Sequence, residues 1–553
     1  MIRDLFNRQY AKKDILAGLT LAVESVPDGM AVGTLAAINP MNGVYAYMMG
    51  GLSGAFFTSS VSMSIQATSA MALIVAGVSE VALGQPNAKD ALLLLSLLTG
   101  LFMVIFGLLR LGGALRFIPN SVMSAFTHAV GFSIILGQLS NLTGYATQGP
   151  NKPMQTVDLL LHLDQVNIYA LITGVITMVL MVLLQRTRLK TFSILVAMFV
   201  ASLVPILLGW AVLQVQDIAP IPSQLPRPFL PELSSLPTLI PALLAPALAL
   251  AIVGLVQGAA VTHEYPNPDG SKPDASGDFK GQGIANIITG FFQGMPVGGS
   301  FSATAILVSG GARTRFANIV AGLGIGGALL LLHNVIGLLA MPALSGFLIV
   351  LGVGVLKPKE LLATWNLGGL SRWGMVFLIL VALFVSLQSA VFVGVALSVL
   401  LYIIRQSNEI AVKASVYENG QLVYEKDVEP ELMSNSIVTL QYYGSLFFAS
   451  AQKFEDQLPQ PTPNTSNAVV ILNMRGQKDL DSTTLDMLAE YAQGLQKHTC
   501  RLMLAGVEDS AHDKLERTGK LAIIGSDNVF AESAHYQESV LKASAEAKEW
   551  QNR

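Results

Sequence analysis

The sequence predicts a polytopic α-helical membrane protein that ends in a small cytoplasmic α/β domain. Composition, repeated apolar runs and an abrupt return of charge after Ile404 carry that reading. Hydrophobic residues are 52% of the 553 and charged residues 12%, about half the charged share of a soluble protein. Apolar runs at 91–109, 167–184, 191–210, 239–256, 319–339 and 373–404 are long enough to cross or nearly cross a bilayer, the last one twice.

Ahead of the first apolar stretch stand Arg3, Arg8, Lys12 and Lys13, with no short apolar region leading to a small-residue cleavage site. No removed signal peptide is therefore expected. If the N-terminus is cytoplasmic and spans alternate, Arg110, Arg116, Arg186, Arg188, Lys190, Lys272, Lys280, Arg313, Arg315, Lys357, Lys359 and Arg405 all fall inside. The opposite loops hold only Lys89, Lys152 and Arg227. This bias predicts an even number of crossings, about fourteen when two short broken segments are counted. Both termini then lie in the cytoplasm of a multi-pass cell-membrane protein, in a plasma or bacterial inner membrane. A net charge of -3 spread over both signs argues against nucleic-acid binding. Cys500 is the single cysteine, so no internal disulfide can form, and a thiol in the polar C-terminal segment fits a reducing compartment.

The most informative stretch is 283–304, GIANIITGFFQGMPVGGSFSATA, where Met295, Pro296, Val297, Gly298 and Gly299 cannot cheaply continue a helix. Ser300 or Ser302 then stands where an N-cap hydroxyl belongs, just ahead of a short apolar helix from Ala303. Unpaired N–H groups at such an end favour an anion. Broken backbone at bilayer depth is tolerated where protein buries it or where it lines a cavity. A second break follows the same plan: SSVSMS at 59–64 precedes Gln66, Ala67, Thr68, Ser69 and Ala70, which open another apolar helix. Two half-helices in corresponding positions are the signature of an inverted-repeat transporter.

After Ile404 the pattern becomes that of a small α/β domain. Residues 414–426 read as a hairpin with its turn at Glu418, Asn419 and Gly420. Strands follow at 436–442, 468–473 and 501–505, with helical periodicity at 447–458 and 482–496.

From end to end the chain resembles the SulP family of anion transporters, the sulfate permeases. The resemblance rests on DILAGLT at 14–20 leading into Val26, Pro27, Met30 and Ala31, and on GVYA at 43–46. It continues through ANI at 285–287, PVGGSFS at 296–302, GART at 311–314 and GSLFFA at 444–449. It implies fourteen membrane segments as a 7+7 inverted repeat, forming core and gate domains, a homodimer, and a C-terminal STAS domain signalled by VILNMR at 470–475 and DSTT at 481–484. The implied divisions are a cytoplasmic segment 1–13, a transport domain 14–404, a linker with a hairpin 405–430, a STAS domain 431–545 and a tail 546–553.

The resemblance also implies an anion held between the first span, the eighth span and the two half-helices, among Gln66, Ala67 and Thr68 on one side and Ser300, Phe301, Ser302 and Ala303 on the other. Three positions depart from the family pattern: Ala303 replaces an arginine, Gln257 replaces a coupling carboxylate, and Gln66-Ala67 replaces Gly-Pro. In exchange, Glu24 and Asp28 lie within the first span, four residues apart and on one helical face. Asp28 aligns where many SulP proteins carry glutamine. An ionised carboxylate there costs about 2.5–3.5 kcal/mol on insertion scales and usually has a task. One reading gives Asp28 the coupling role, binding H+ or Na+ when the anion is present. The other makes it a protonated structural acid, with Glu24 at a polar contact between domains.

Other residues attract less. His128 reads as a packed or interface histidine. His263, Glu264, Asp269, Asp274 and Asp278 match no metal spacing and read as a solvated loop, so neither a metal nor any other cofactor is expected. Ser482 corresponds to the phosphorylated position of soluble STAS proteins, but Thr484 replaces a glycine there, and the N-cap of a helix is the simpler role. No set of nucleophile, base and orienting group is present, so no enzyme is expected. The expected function is secondary active transport of an inorganic anion by rocking or elevator-like alternating access. Sulfate comes first, then bicarbonate or a dicarboxylate, with a passive anion pathway and a membrane-tethered STAS regulator as the other readings.

Overall fold

The computed structural model describes residues 7–112, 120–187, 189, 192–218, 221, 223–366, 368–418, 421–477, 480–535 and 537–553. Arg3, Arg116, Arg188 and Lys190 of the charge pattern, and Asn419 and Gly420 of the hairpin turn, lie outside the described residues. The chain forms two compact units, Met1–Ser398 and Val399–Arg553.

The chain up to Asn408 contains two runs of seven membrane segments. The first run is α1 (Ala11–Leu35), α2 (Pro40–Phe57), β1 (Ser64–Gln66) with α3 (Ser69–Ala76), α4 (Ala88–Leu108), α5 (Asn120–Thr143), α6 (Ile168–Leu184) and α7 (Ser193–Leu208). The second is α8 (Leu236–Glu264), α9 (Ala275–Phe291), β2 (Gly298–Ser300) with α10 (Phe301–Ser309), α11 (Phe316–Gly337), α12 (Met341–Val355), α13 (Gly369–Phe384) and α14 (Leu387–Asn408). Among the described residues, seven helices are long and apolar enough to span alone, and the other segments are shorter or broken. Leu207, Leu331 and Trp373 are largely exposed, as suits side chains that face hydrocarbon.

Packing sorts these segments into two groups. Helices α1–α4 pack with α8–α11, whereas α5 packs on α12 and α13, and α6 on α7 and α12. Close backbone approach holds the first group together. A Cβ on Gly43 of α2 would lie 1.9 Å from the Gly29 carbonyl oxygen of α1. Within α1, Pro27 leaves the Val23 carbonyl without its intrahelical donor, at the level of Glu24 and Asp28.

At the end where α1 begins, three buried charged side chains tie the two repeats together. Asp14 accepts from the Arg313 N–H at 2.7 Å and the Thr314 hydroxyl at 2.6 Å. The Arg315 guanidinium donates to the carbonyls of Thr58 and Ser59 at 2.5 and 2.9 Å. Asp278 accepts from the Ser59 and Ser60 N–H groups at 2.6 and 2.8 Å, and from the Ser59 and Thr262 hydroxyls at 2.8 and 3.1 Å. This corrects the reading of Asp278 as part of a solvated loop. It is fully buried in the first turn of α9, whose cap is Asp274, accepting from the Ser276 N–H at 3.0 Å.

The second unit is a six-stranded sheet with helices on both faces. Its strands are β3 (Ala411–Glu418), β4 (Gln421–Asp427), β5 (Ile437–Tyr443), β6 (Val469–Asn473), β7 (Arg501–Val507) and β8 (Val529–Ala531). They run in the order β8-β7-β6-β5-β3-β4. The hairpin placed in a linker by its sequence thus supplies two strands of this sheet, β3 pairing antiparallel with β5. Alternation along the central strands feeds both faces: Val470, Leu472, Leu502 and Leu504 join the cluster containing Leu485 and Leu488 of α15 (Ser482–Gln496), while Val469, Ile471, Met503 and Ala505 pack with Val540, Ala543 and Ala547 of α16 (Glu538–Gln551). The helix expected at 447–458 is only Ala451–Glu455. Cys500 is buried in the core of this unit.

Candidate functional site

The two breaks meet. β1 and β2 pair antiparallel, Ser64 opposite Ser300, Ile65 opposite Gly299 and Gln66 opposite Gly298. Side chains from neighbouring helices then occupy the backbone groups that a helix would have satisfied internally. Asn286 of α9 donates to the Val297 carbonyl at 2.7 Å and accepts from the Val297 N–H at 2.8 Å. Gln282, one turn earlier, accepts from the Gly299 N–H at 3.0 Å. Asn318 of α11 donates to the Met63 carbonyl at 3.1 Å, just before the other strand. Both strands are buried along their length.

Each strand leads into a capped half-helix. Thr68 accepts from the Met71 N–H and Ser300 from the Ala303 N–H, both at 3.4 Å. Of the two candidate serines, Ser300 is the cap. The N–H groups of Ser69, Ala70, Phe301 and Ser302 carry no hydrogen bond among the described residues. Four unpaired donors at two helix N-termini, each terminus worth about half a positive charge, make a cradle of the kind that suits an anion.

Gln257 of α8 joins this cradle, since the Thr68 hydroxyl donates to its Oε1 at 2.9 Å. Gln66 reaches α1, its Nε2 donating to Ser25 Oγ at 3.0 Å. Ser300 and Ser302 have hydroxyls 3.3 Å apart, and Ser302 is exposed. Phe301 is 47% exposed and lies edge-on to Tyr265 at 5.2 Å. Ala67 is buried in the main apolar cluster, so it presents backbone only. Ala303 departs from its expected role: its methyl packs with Ala17, Leu21 and Leu307, and its N–H is taken by Ser300. A side chain at 303 starts in an apolar contact with α1, so the missing arginine leaves a packed wall rather than a gap.

Asp28 lies one turn beyond Ser25. Its Oδ2 accepts from the Tyr47 hydroxyl of α2 at 2.8 Å, and its buried Oδ1 has no partner among the described residues. Glu24 is 8% exposed. Sequence reasoning missed Ser25, Tyr47 and Asn318, and gave Asn286 no role although it lies in the ANI motif. The only available signal was polar residues interrupting apolar helices, and nothing in that signal says which break they serve.

Two expectations outside the cradle resolve simply. His128 is buried on α5, with Nδ1 on the Ser124 carbonyl at 2.7 Å and the Lys357 N–H donating to Nε2 at 3.3 Å, a packed histidine linking α5 to the end of α12. Ser482 is the exposed first residue of α15, and the cap is instead Asp481, accepting from the Thr484 N–H at 2.8 Å. A carboxylate one residue earlier reaches the third amide of the helix better than a residue already inside it.

The model of the Sulfate permease family matches residues 11–381, and that of the STAS domain matches residues 433–535. Among curated proteins, the chain is 24% identical over 538 residues to the Bacillus subtilis putative sulfate transporter YvdB, covering 95% of this chain and 97% of that one. It is 26% identical over 553 residues to the chloroplastic sulfate transporter 4.1 of Arabidopsis thaliana, covering 94% and 79%. Among solved structures, the murine Solute Carrier 26 family member A9 anion transporter in its inward-facing state superposes with a TM-score of 0.82 at 19% identity, covering 98% of this chain and 92% of that one. The transmembrane domain of the cyanobacterial bicarbonate transporter BicA gives 0.59 at 20% identity, covering 71% and 98%.

Proposed function

Because this chain belongs to the sulfate permease family, we propose that it is a secondary active transporter of a small inorganic anion, sulfate in the first instance. One observation carries the reading: two capped half-helix N-termini, joined through β1 and β2, leave four N–H donors unpaired. The group of α1–α4 and α8–α11 would carry this cradle past the group of α5–α7 and α12–α14, by rocking or by an elevator-like movement. The protein would work as a homodimer in a cell membrane, with both termini cytoplasmic.

A bicarbonate transporter is the second reading, and the absence of a basic side chain supports it. No lysine or arginine occurs at 14–88, 228–271 or 281–312, so the cradle offers only dipoles and hydrogen bonds. That field matches a singly charged anion more closely than a doubly charged one. Uptake of labelled sulfate, bicarbonate, chloride, nitrate and succinate into vesicles, each with and without sodium and a pH gradient, tests both readings. Sulfate uptake driven by either gradient supports the first; bicarbonate uptake without sulfate uptake supports the second, and no flux of any anion overturns transport.

Coupling is assigned to Asp28, whose unpartnered Oδ1 would take H+ or Na+ as the anion enters. Asp28→Asn is expected to weaken the dependence of uptake on pH or sodium, and an unchanged profile removes Asp28 from the coupling role. Gln257 would serve the anion as a neutral donor held in place by Thr68. Thr68→Val deletes both the cap and the bond to Gln257, at about 1 kcal/mol for the cap and a similar amount for the bond. The apparent KM is expected to rise on the order of tenfold, and an unaltered KM would separate Thr68 from the site.

A further inference from the structure

Glu24 sits near the middle of α1, a 25-residue helix, and one helical turn from Asp28. It is 8% exposed, and no hydrogen bond or ion pair reaches its carboxylate among the described residues. Asp28 is likewise short of donors, since Tyr47 supplies one and Oδ1 has none. Two carboxylates at this depth need neutralising partners. Among the described residues no basic side chain pairs with either.

The charged and titratable groups around them are committed elsewhere. Helix α2 presents Tyr45 and Tyr47, of which only Tyr47 bonds Asp28. Just before α11, Arg315 donates to the carbonyls of Thr58 and Ser59, and on α11 His333 stands at the far end against the Leu330 carbonyl. On α5, His128 is held by Ser124 and Lys357. Helices α3, α7, α10 and α12, which also pack on α1, contain no ionisable residue. On α1 itself, Lys12 and Lys13 are exposed more than ten residues before Glu24, and Asp14 is bonded to Arg313 and Thr314.

Both carboxylates therefore draw their neutralising charge from solution, and they must do so most strongly when an anion occupies the neighbouring cradle. We infer that Glu24 binds a second coupling cation alongside the one on Asp28, so that each anion travels with two monovalent cations. This rests on the coupling role proposed for Asp28. With a doubly charged anion the transported set of two cations and one anion carries no net charge, and it carries one negative charge when either carboxylate and its cation are removed. Protons and sodium offer the same single positive charge.

The test uses the full chain in lipid vesicles, with radiolabelled sulfate, an internal pH dye and radiolabelled sodium in parallel arms. The expected ratio of cations to sulfate is two in the wild type and one in both Glu24→Gln and Asp28→Asn. Uptake should be indifferent to membrane potential in the wild type and sensitive to it in each variant. The arm that records the flux, proton or sodium, names the cation. A wild-type ratio of one, or a ratio of two that survives Glu24→Gln, overturns the inference and leaves Asp28 coupling intact. Sulfate flux with no cation flux overturns the coupling reading itself.

A second measurement needs no transport. In sodium-free vesicles at low pH, the infrared band of protonated carboxyl groups should lose one component in Glu24→Gln and a different one in Asp28→Asn. A Glu24→Gln spectrum identical to wild type at every pH overturns the inference whatever the transported anion.

Discussion

Replacing Gly43 with alanine is expected to remove folded protein from the membrane. The new Cβ would stand 1.9 Å from the Gly29 carbonyl oxygen and 2.8 Å from the Gly33 nitrogen, so both obstacles are backbone. Overpacking costs about 1–3 kcal/mol where side chains can give way. Here α1 and α2 must separate, which also pulls Tyr47 off Asp28, and the cost should exceed about 3 kcal/mol. Monodisperse yield in detergent and the unfolding temperature are the readouts. Gly327→Ala on α11, whose Cβ meets nothing within 4 Å, should match the wild type. Equal stability of the two variants would remove the close crossing of α1 and α2 from the account.

Asp278→Ala should be nearly as damaging, by about 2–6 kcal/mol, at about 1–3 kcal/mol for each of two buried N–H groups left unsatisfied. Four donors lose one acceptor group, and two of them are backbone N–H groups of Ser59 and Ser60, which have no other described partner. Asp278→Asn keeps an acceptor oxygen at the same place and should lose about half as much. Residues 59 and 60 lead directly into β1, so surviving Asp278→Ala protein should also show reduced uptake. Thermal unfolding and uptake measured on the same preparation decide this: full uptake in a destabilised variant would confine Asp278 to a structural role.

Much of the fold was legible because its largest signals are local. Apolar runs, a proline-glycine break and the return of charge after Ile404 each lie within a few residues of one another. The half-helix at Ser300 was readable for that reason, and so was α15, which begins and ends as its periodicity indicates. What escaped was set by long-range pairing. Asp278 sits in a stretch rich in proline, glycine and charge that looks solvated, and only contact with residues 59 and 60 makes it a buried anchor. Ala303 was read by its place after a serine, yet its methyl direction is decided by α1. Tyr47 is one aromatic among many in an apolar helix until Asp28 is brought beside it. The strands at 411–427 looked like a separate hairpin because pairing with β5 has no local signature.

The ribbon of β1 and β2 has a mechanical corollary. Each strand is only three residues long, and each belongs to a different half of the chain. Their mutual hydrogen bonds make the two caps, Thr68 and Ser300, the ends of one strut. Neither half-helix can retreat from a bulky guest without breaking the strut or dragging the other along. A slip of one residue would exchange Gln66 with Ile65 between its two faces, replacing a polar arm with a hydrocarbon. The spacing between the two positive helix ends is therefore fixed by backbone pairing that no single side-chain substitution redraws, and an anion held between them, as proposed, would meet a ruler that both halves of the sequence hold in common.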